Sequence, residues 1–406
     1  MWRCDPPTRI VVAALAGLVA SAMHLGPLAL LAPLTGRPRA ALLAAAAVAV
    51  LWGGMRVDAL ERRALHPGPV HGVVEVTGRP SGDRAVARLD AVGEDVVFEV
   101  GSGGVVPGGI YRVEGRLSPI DPELRDYYAN QGVHLRLKAS RAVYAGRRGG
   151  AWGAVDRLHD AALARLGAAD RPSPERALVA GVSLGEGDAL PYDLREQFRA
   201  AGLTHIVAAS GQNVALVVVL TLLALGLCGV IGPPARWAAM ALTLLYVLIA
   251  GAGPSIVRAG VAGGLTLTAW LASRPVARWH LVACGAVVVL AVNPLSLYDP
   301  GFQLSFAAVV AIMLVAPRVQ GTIAQAVAIS VACTLATAPI AWWHFGRLAP
   351  MAVPANLLAL PAVAPILWLG LSAVVLGAAW QPLAVPLLWL ADVLSAYVIW
   401  VARLCS

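Results

Sequence analysis

The sequence predicts a polytopic α-helical membrane protein with a small soluble β-barrel inserted near its N-terminus. Three observations carry this. Of 406 residues, 58% are hydrophobic and only 13% charged, too few polar groups to clothe a soluble fold of this size. Uninterrupted apolar runs close to the length of a bilayer span recur from residue 206 to the C-terminus. Ahead of them, residues 70–143 hold short segments that alternate with a period of two, the mark of strands with one buried face.

At the N-terminus, Arg3 and Arg9 precede the apolar segment Ile10–Met23, and Arg37-Pro38-Arg39 separates it from a second run, Ala40–Trp52. Two consecutive runs predict a membrane hairpin over 1–55 rather than a cleaved leader. The net charge of +8 is carried by arginine, Lys138 being the only lysine. A basic balance suits the positive-inside rule and does not by itself indicate nucleic acid. Cys4, Cys228, Cys284, Cys333 and Cys405 are scattered, with no Cys-x-x-Cys or Cys/His spacing. They read as small apolar packing residues, so neither a metal site nor a disulfide is expected.

From Arg56 the composition turns soluble, giving a domain over 56–148. Val70–Val76, Ala85–Leu89, Val96–Val100, Tyr111–Leu117 and His134–Ala139 read as five strands, with a polar insertion over Asp121–Gly132 before the last. Five short strands with one longer insertion suit a barrel of the OB type; a β-sandwich is the competing arrangement. Arg79, Arg84, Arg88, Arg112, Arg116, Arg136 and Lys138 lie on or beside these strands and would line a groove for single-stranded nucleic acid. Asp83, Asp90, Glu94, Asp95, Glu99 and Glu114 are interspersed and stacking aromatics are few. By residues alone this is a mixed solvated face.

Residues 149–202 read as amphipathic or interfacial helices. Ala151–Leu166 places Trp152, Val155, Leu158, Ala162 and Leu166 on one face. Ser173-Pro174 has N-cap and first-turn chemistry for a helix through Val182. Pro191 opens another with Leu194, Phe198 and Ala201 on one side, stopped by Gly202. Residues 203–406 then form a membrane bundle, with spans near 206–230, 235–251, 256–273, 279–293, 302–317, 322–341, 350–376 and 384–403.

Polar residues enter these spans at helix breaks. His205, Ser210, Gln212 and Asn213 open the first; Ser255 and Arg258 follow Gly253-Pro254; Gln303 and Ser305 follow Asp299-Pro300-Gly301; Asn356 follows Pro354. Buried polar groups in hydrocarbon are costly unless partnered or wet, and helix N-termini at such breaks offer free N–H groups to anions. Arg258 is a functional candidate by default, with snorkelling to the interface as its plainer role. His205 and Ser210 invite a hydrolase reading, yet Ala208-Ala209-Ser210-Gly211 is not the G-x-S-x-G elbow and no carboxylate accompanies the pair. Two functions stay open on these residues: a secondary transporter of a small anionic solute, and an intramembrane hydrolase using Ser210 and His205.

Four stretches resemble one family, the ComEC-type competence channels that import single-stranded DNA across the bacterial inner membrane. They are Phe198-Arg199 through Thr204-His205-Ile206-Val207-Ala208-Ala209-Ser210-Gly211; Gly253-Pro254-Ser255 with Arg258-Ala259; Asn293-Pro294 through Gly301-Phe302-Gln303-Leu304-Ser305-Phe306; and His344-Phe345-Gly346 followed by Pro354-Ala355-Asn356-Leu357-Leu358 and Pro361. The resemblance covers most of 175–400, with 1–145 similar to the family's N-terminal helices and OB-like domain. It implies a multi-pass inner-membrane channel for single-stranded DNA, not an enzyme, with no cofactor. Its path residues would be His205, Ser210, Gln212, Asn213, Ser255, Arg258, Gln303, Ser305 and Asn356, and its DNA-binding residues the seven barrel cations.

Beyond DNA and membrane lipid, the implied partners are a DNA receptor protein, a separate nuclease and a cytoplasmic ATP-driven motor, with homo-oligomerisation possible. No P-loop occurs in the sequence, so the motor is expected in another protein. Many family members continue into a metallo-β-lactamase-like domain; here the sequence stops at Ser406 with no HxHxDH-type cluster, so a nuclease is expected in trans. Gln212-Asn213 also stands where the family resemblance leads one to expect a small or apolar residue followed by histidine.

Overall fold

The computed structural model describes residues 14–16, 19, 39–61, 67–80, 82–91, 93–101, 104–169, 172–207, 211–251, 256–257, 260–261, 263–264 and 278–406. Most of Ile10–Met23 and of the expected span 256–273 lies outside these residues, as do Ser210, Ser255 and Arg258. The chain divides into two compact units, one of residues 1–154 and 275–299, the other of 155–274 and 300–406.

In the first unit, helix α1 (Arg39–Glu61) runs past the expected Trp52 to Glu61. Strands β1 (Gly68–Val76), β2 (Arg84–Leu89), β3 (Glu94–Val100) and β4 (Gly109–Pro119) follow, then helix α2 (Pro122–Ala129) and strand β5 (Leu135–Arg147). They close into a barrel in the order β1-β2-β3-β5-β4, with β3 and β5 parallel and the other pairs antiparallel. This is the strand order expected of an OB-type barrel and excludes the sandwich. The period-two alternation puts Val74, Val76, Ala85, Ala87, Leu89, Val96, Phe98, Val113 and Leu137 inside, each nearly or fully buried. Gly115 is required where β4 and β5 close: a Cβ there would stand 2.4 Å from the Lys138 carbonyl oxygen.

The polar insertion contains α2, which lies over the barrel's outer wall. Leu124 and Tyr128 pack with Ile120 and Val133 against Val97 of β3 and Val86 of β2. The last strand reaches Arg147, well beyond the expected Ala139, and its second half is largely exposed. Helix α3 (Gly150–Arg165) begins beside it. The unit is completed by α9 (Arg278–Val292) and the 3₁₀ turn Pro294–Tyr298.

The second unit is helical. It holds α4 (Pro174–Leu184), α5 (Tyr192–Ala200), the single turn α6 (Thr204–Val207), α7 (Gly211–Leu227), α8 (Pro233–Ile249), α10 (Pro300–Val315), α11 (Thr322–Phe345), α12 (Ala352–Ala379) and α13 (Ala384–Leu404). Among the described residues, four segments are long and apolar enough to cross a membrane: Pro300–Arg318, Thr322–Phe345, Ala352–Ala379 and Gln381–Leu404. Helices α7 and α8, at 17 residues each, are apolar but shorter.

Helix α4 sits at the centre, with Ala177–Leu184 buried on every side. Its start is set by Ser173, whose hydroxyl accepts from the Arg176 N–H at 3.3 Å, and by Pro174; its stop is Gly185 at φ 79°. Gly370 of α12 lets it approach, since a Cβ there would be 2.3 Å from Ser183 Oγ. The expected break at Pro354 is absent. Helix α12 runs unbroken through Pro354, Pro361 and Pro365, the first of these lying in its opening turn, where no intrahelical N–H is needed. The apolar face expected on Ala151–Leu166 is also shifted: Trp152 and Leu158 are exposed, whereas His159, Ala162 and Leu166 are buried.

Candidate path residues and barrel cations

The polar stretch that opens the membrane bundle separates into two kinds of residue. His205 and Gln212 are exposed. Asn213 is buried and donates from Nδ2 to the Val182 carbonyl at 2.9 Å. Val182 is in the last turn of α4, whose carbonyls lack intrahelical partners, so Asn213 supplies a donor that the helix end needs. Asn213 thus joins α7 to α4. The buried Tyr246 hydroxyl of α8 makes no hydrogen bond among the described residues.

At the start of α10 and the end of α11, two further stretches meet. Gln303 Oε1 lies 2.9 Å from His344 Nε2, so that nitrogen carries the proton in this pairing. Phe302 and Phe306 stack obliquely with ring centroids 4.4 Å apart, and Ser305 between them is half-buried. Arg347, just beyond His344, reaches Glu196 of α5 at 3.3 Å, and Glu196 also binds Arg199. Asn356 is half-buried, and its buried Oδ1 accepts no hydrogen bond among the described residues.

On the barrel, register decides which cations are available. Arg84 lies 3.6 Å from Glu99 and 3.8 Å from Asp83. Arg136 lies 3.5 Å from Glu99 and 2.8 Å from Asp121. Arg88 stands opposite Asp95, and Arg79, in the β1–β2 connection, is itself partnered. The β2–β3 wall is therefore charge-balanced as well as covered by α2. Burial under this cover pushes the Tyr128 phenol up, Tyr127 adds to the shift and Arg84 opposes it.

The β4–β5 wall differs. Arg112, Arg116 and Lys138 are exposed and form no ion pair among the described residues. Arg116 and Lys138 stand directly opposite each other across the two strands. Facing like charges destabilise a strand pair unless a counter-anion lies between them. Glu114 opposite Arg141 is complementary, and Lys138, on its other side, stands opposite Glu99 of β3.

A family model described as "Competence protein" matches residues 182–406, more than half of the chain. The chain belongs to the Competence protein family. It is 27% identical over 214 residues to ComE operon protein 3 of Bacillus subtilis (strain 168), an alignment covering 50% of this chain and 28% of that protein. It is 28% identical over 225 residues to the uncharacterized protein YcaI of Escherichia coli (strain K12), covering 50% of this chain and 29% of YcaI. The match therefore spans less than a third of either relative. No solved structure matches. Asn213, Gln303, Ser305, His344 and Asn356 all fall inside the competence segment, and the barrel lies before it.

Two polar sites in and beside this segment escape sequence reading. Arg176 Nη2 lies 2.7 Å from Asp392 Oδ2, and its Nη1 donates to the Leu166 carbonyl at 3.1 Å. Asp392 is the only carboxylate in the final apolar run, and an isolated acid in such a run calls for a cation. The second site is His159, whose partners are Glu186 and the Ile249 carbonyl. It has no comparable signal, because its partners lie far along the chain.

Proposed function

We propose that this competence-family chain forms part of an inner-membrane channel that moves single-stranded DNA into the cytoplasm during natural transformation. The observation that carries the reading is the coincidence of the competence segment, 182–406, with an apolar helical bundle bearing polar groups such as the Gln303–His344 pair. A polyphosphate chain cannot enter hydrocarbon, so its route must be lined by polar groups, N–H donors and water. In this reading the path is lined by His205, Ser210, Gln212, Ser255, Arg258, Gln303, Ser305 and Asn356. Asn213 holds the path's wall. The multi-pass chain divides into a helical region over 1–55, a soluble barrel over 56–148, amphipathic helices over 149–202 and the bundle over 203–406.

The barrel's part is to hold the strand outside the membrane. Arg112, Arg116 and Lys138 suit this because they are exposed and form no ion pair among the described residues, although Lys138 stands opposite Glu99 of β3. Delivery of DNA and the force that draws it in fall to a DNA receptor and an ATP-driven motor, and removal of the complementary strand falls to a nuclease. The test is uptake of labelled DNA by a transformable host. Deleting the gene is expected to abolish uptake, and wild-type protein to restore it, whereas a Gln303→Ala/His344→Ala variant restores much less. Unchanged uptake in the deletion strain, or a saturable small-anion flux in proteoliposomes with no DNA dependence, overturns the reading.

A further inference from the structure

His159 is only 4% exposed, yet both of its ring nitrogens face oxygen. Nδ1 lies 2.8 Å from the Ile249 carbonyl oxygen, and Nε2 lies 3.1 Å from Glu186 Oε1. A carbonyl and an ionised carboxylate only accept hydrogen bonds. A neutral imidazole has a single N–H, so it satisfies one of them and turns a lone pair on the other. Two states satisfy both: an imidazolium against a carboxylate, or an Nδ1–H imidazole accepting from a protonated Glu186. Each holds one proton more than neutral imidazole with ionised carboxylate.

The three residues join distant parts of the second unit. His159 is on α3, Glu186 follows Gly185 at the end of α4, and Ile249 is the last residue of α8. Helix C-termini present unpartnered carbonyls and favour positive charge, which places the proton well. The turn carrying Glu186 packs closely on Val207: a Cβ on Gly187 would lie 3.1 Å from Val207 Cγ1, and one on Gly181 only 2.8 Å away. Val207 belongs to the polar stretch that opens the bundle, so motion of this turn bears on that stretch.

We propose that His159 and Glu186 share one buried proton, that this proton clips α3 and the Gly185–Gly187 turn to the C-terminal end of α8, and that its loss opens the clip. Other titratable groups stand near the pair. Asp156 and Asp160 flank His159 on α3, and each is itself partnered. Asp188, next on the turn, is held by Arg195 at 3.1 Å. On α8, the buried Tyr246 hydroxyl makes no hydrogen bond among the described residues. The closed form binds one more proton than the open form, so acid favours closure and rising pH opens it. One linked proton corresponds to about a tenfold change in the closed-to-open ratio per pH unit.

This inference does not depend on what the protein carries. Hydrogen exchange of the full chain in lipid nanodiscs, followed from acidic to alkaline pH and corrected for base-catalysed intrinsic exchange, tests it. Protection of residues 155–166 is expected to fall about tenfold per pH unit on the alkaline side, while residues 388–402 of α13 keep theirs. Glu186→Gln is expected to flatten the profile with the clip closed, because the amide N–H can donate to Nε2 of a neutral Nδ1–H imidazole. His159→Asn is expected to flatten it with the clip open. A flat wild-type profile overturns the proposal, and so does a wild-type slope that persists in either variant.

Discussion

Neutralising Arg116 and Lys138 together, as Arg116→Gln/Lys138→Gln, is expected to weaken binding of an unstructured DNA strand without weakening the barrel. Both side chains are exposed and face each other across β4 and β5. If each engages one phosphate, the dependence of log K on log salt loses about 0.7 per contact, or about 1.4 for the pair, on a single strand. Referred to 1 M salt, that amounts to roughly 25-fold lower affinity at about 0.1 M. The folded barrel changes little, since removing facing like charges relieves about 0.2–1 kcal/mol of repulsion while Glu99 loses its cationic neighbour on β5. The assay is fluorescence anisotropy of an end-labelled oligothymidine against the full chain in nanodiscs, titrated at several salt concentrations, with a thermal melt alongside. Arg136→Gln is the control: it breaks the 2.8 Å contact with Asp121 and should lower the melting temperature while leaving the salt slope intact. An unchanged slope in the double variant, or a slope that responds to Arg136→Gln instead, refutes the assignment of the β4–β5 wall.

Three further outcomes are expected in the helical unit. Asn213→Ala leaves the Val182 carbonyl without its 2.9 Å donor and should cost about 1–3 kcal/mol, read as a lower melting temperature in detergent. Gly370→Ala drives a Cβ to 2.3 Å from Ser183 Oγ and should cost about 1–3 kcal/mol; adding Ser183→Ala removes the clashing oxygen and should recover part of that loss. Asp392→Ala strands Arg176, but both side chains are about a quarter exposed, so a loss of about 1–3 kcal/mol is expected rather than the full penalty of a buried pair. Asp392→Asn, which keeps an acceptor for the guanidinium, should be milder in the same melt.

The elements that sequence reading located are those whose signal is local. Alternation in Ala85–Leu89 and Val96–Val100 fixes which residues enter the barrel, because one register puts all of them inside. Ser173, Pro174 and Gly185 delimit α4 by backbone chemistry that needs no partner. The cations were a different problem. Arg84, Arg116 and Arg136 are the same residue on the same sheet, yet two are held by Glu99 and one faces Lys138, and only strand pairing decides which. The helix in the polar insertion was hidden for the same reason, since Leu124 and Tyr128 gain a partner only when Val97 of β3 lies beneath them. On α3 the apolar pattern selected Leu158, but a histidine with two oxygen partners is buried in its place. Pro354 read as a break because a proline removes a helical N–H, although in the first turn that N–H has no work to do.

Asn293, just past the end of α9, acts on a distant element of its own unit. Helix α9 ends at Val292, and its terminal carbonyls are taken by side chains from α1. The Trp52 indole N–H donates to Ala291 at 2.6 Å, and Arg56 donates to Val292 from Nε at 3.0 Å and Nη2 at 2.7 Å. A guanidinium suits this end, where the carbonyls point outward and the helix dipole is negative. Asn293 then performs two tasks. Its Oδ1 accepts from the Leu295 N–H at 2.9 Å, starting the 3₁₀ turn, and its Nδ2 donates to the Asn130 carbonyl at 2.7 Å. Asn130 directly follows α2, so this bond ties down the cover of the β2–β3 wall. Asn293→Asp keeps the acceptor but sets a carboxylate against the Asn130 carbonyl, whereas Asn293→Ala loses both bonds, at about 0.5–1.5 kcal/mol each. Both variants should therefore raise hydrogen exchange in residues 122–133 by several-fold while Val96–Phe98 in the barrel interior stay protected, and the aspartate should do so with the 3₁₀ turn intact. Equal protection of 122–133 in the wild type and both variants would mean that α2 is held by Leu124 and Tyr128 alone, and that Asn293 serves only its own turn.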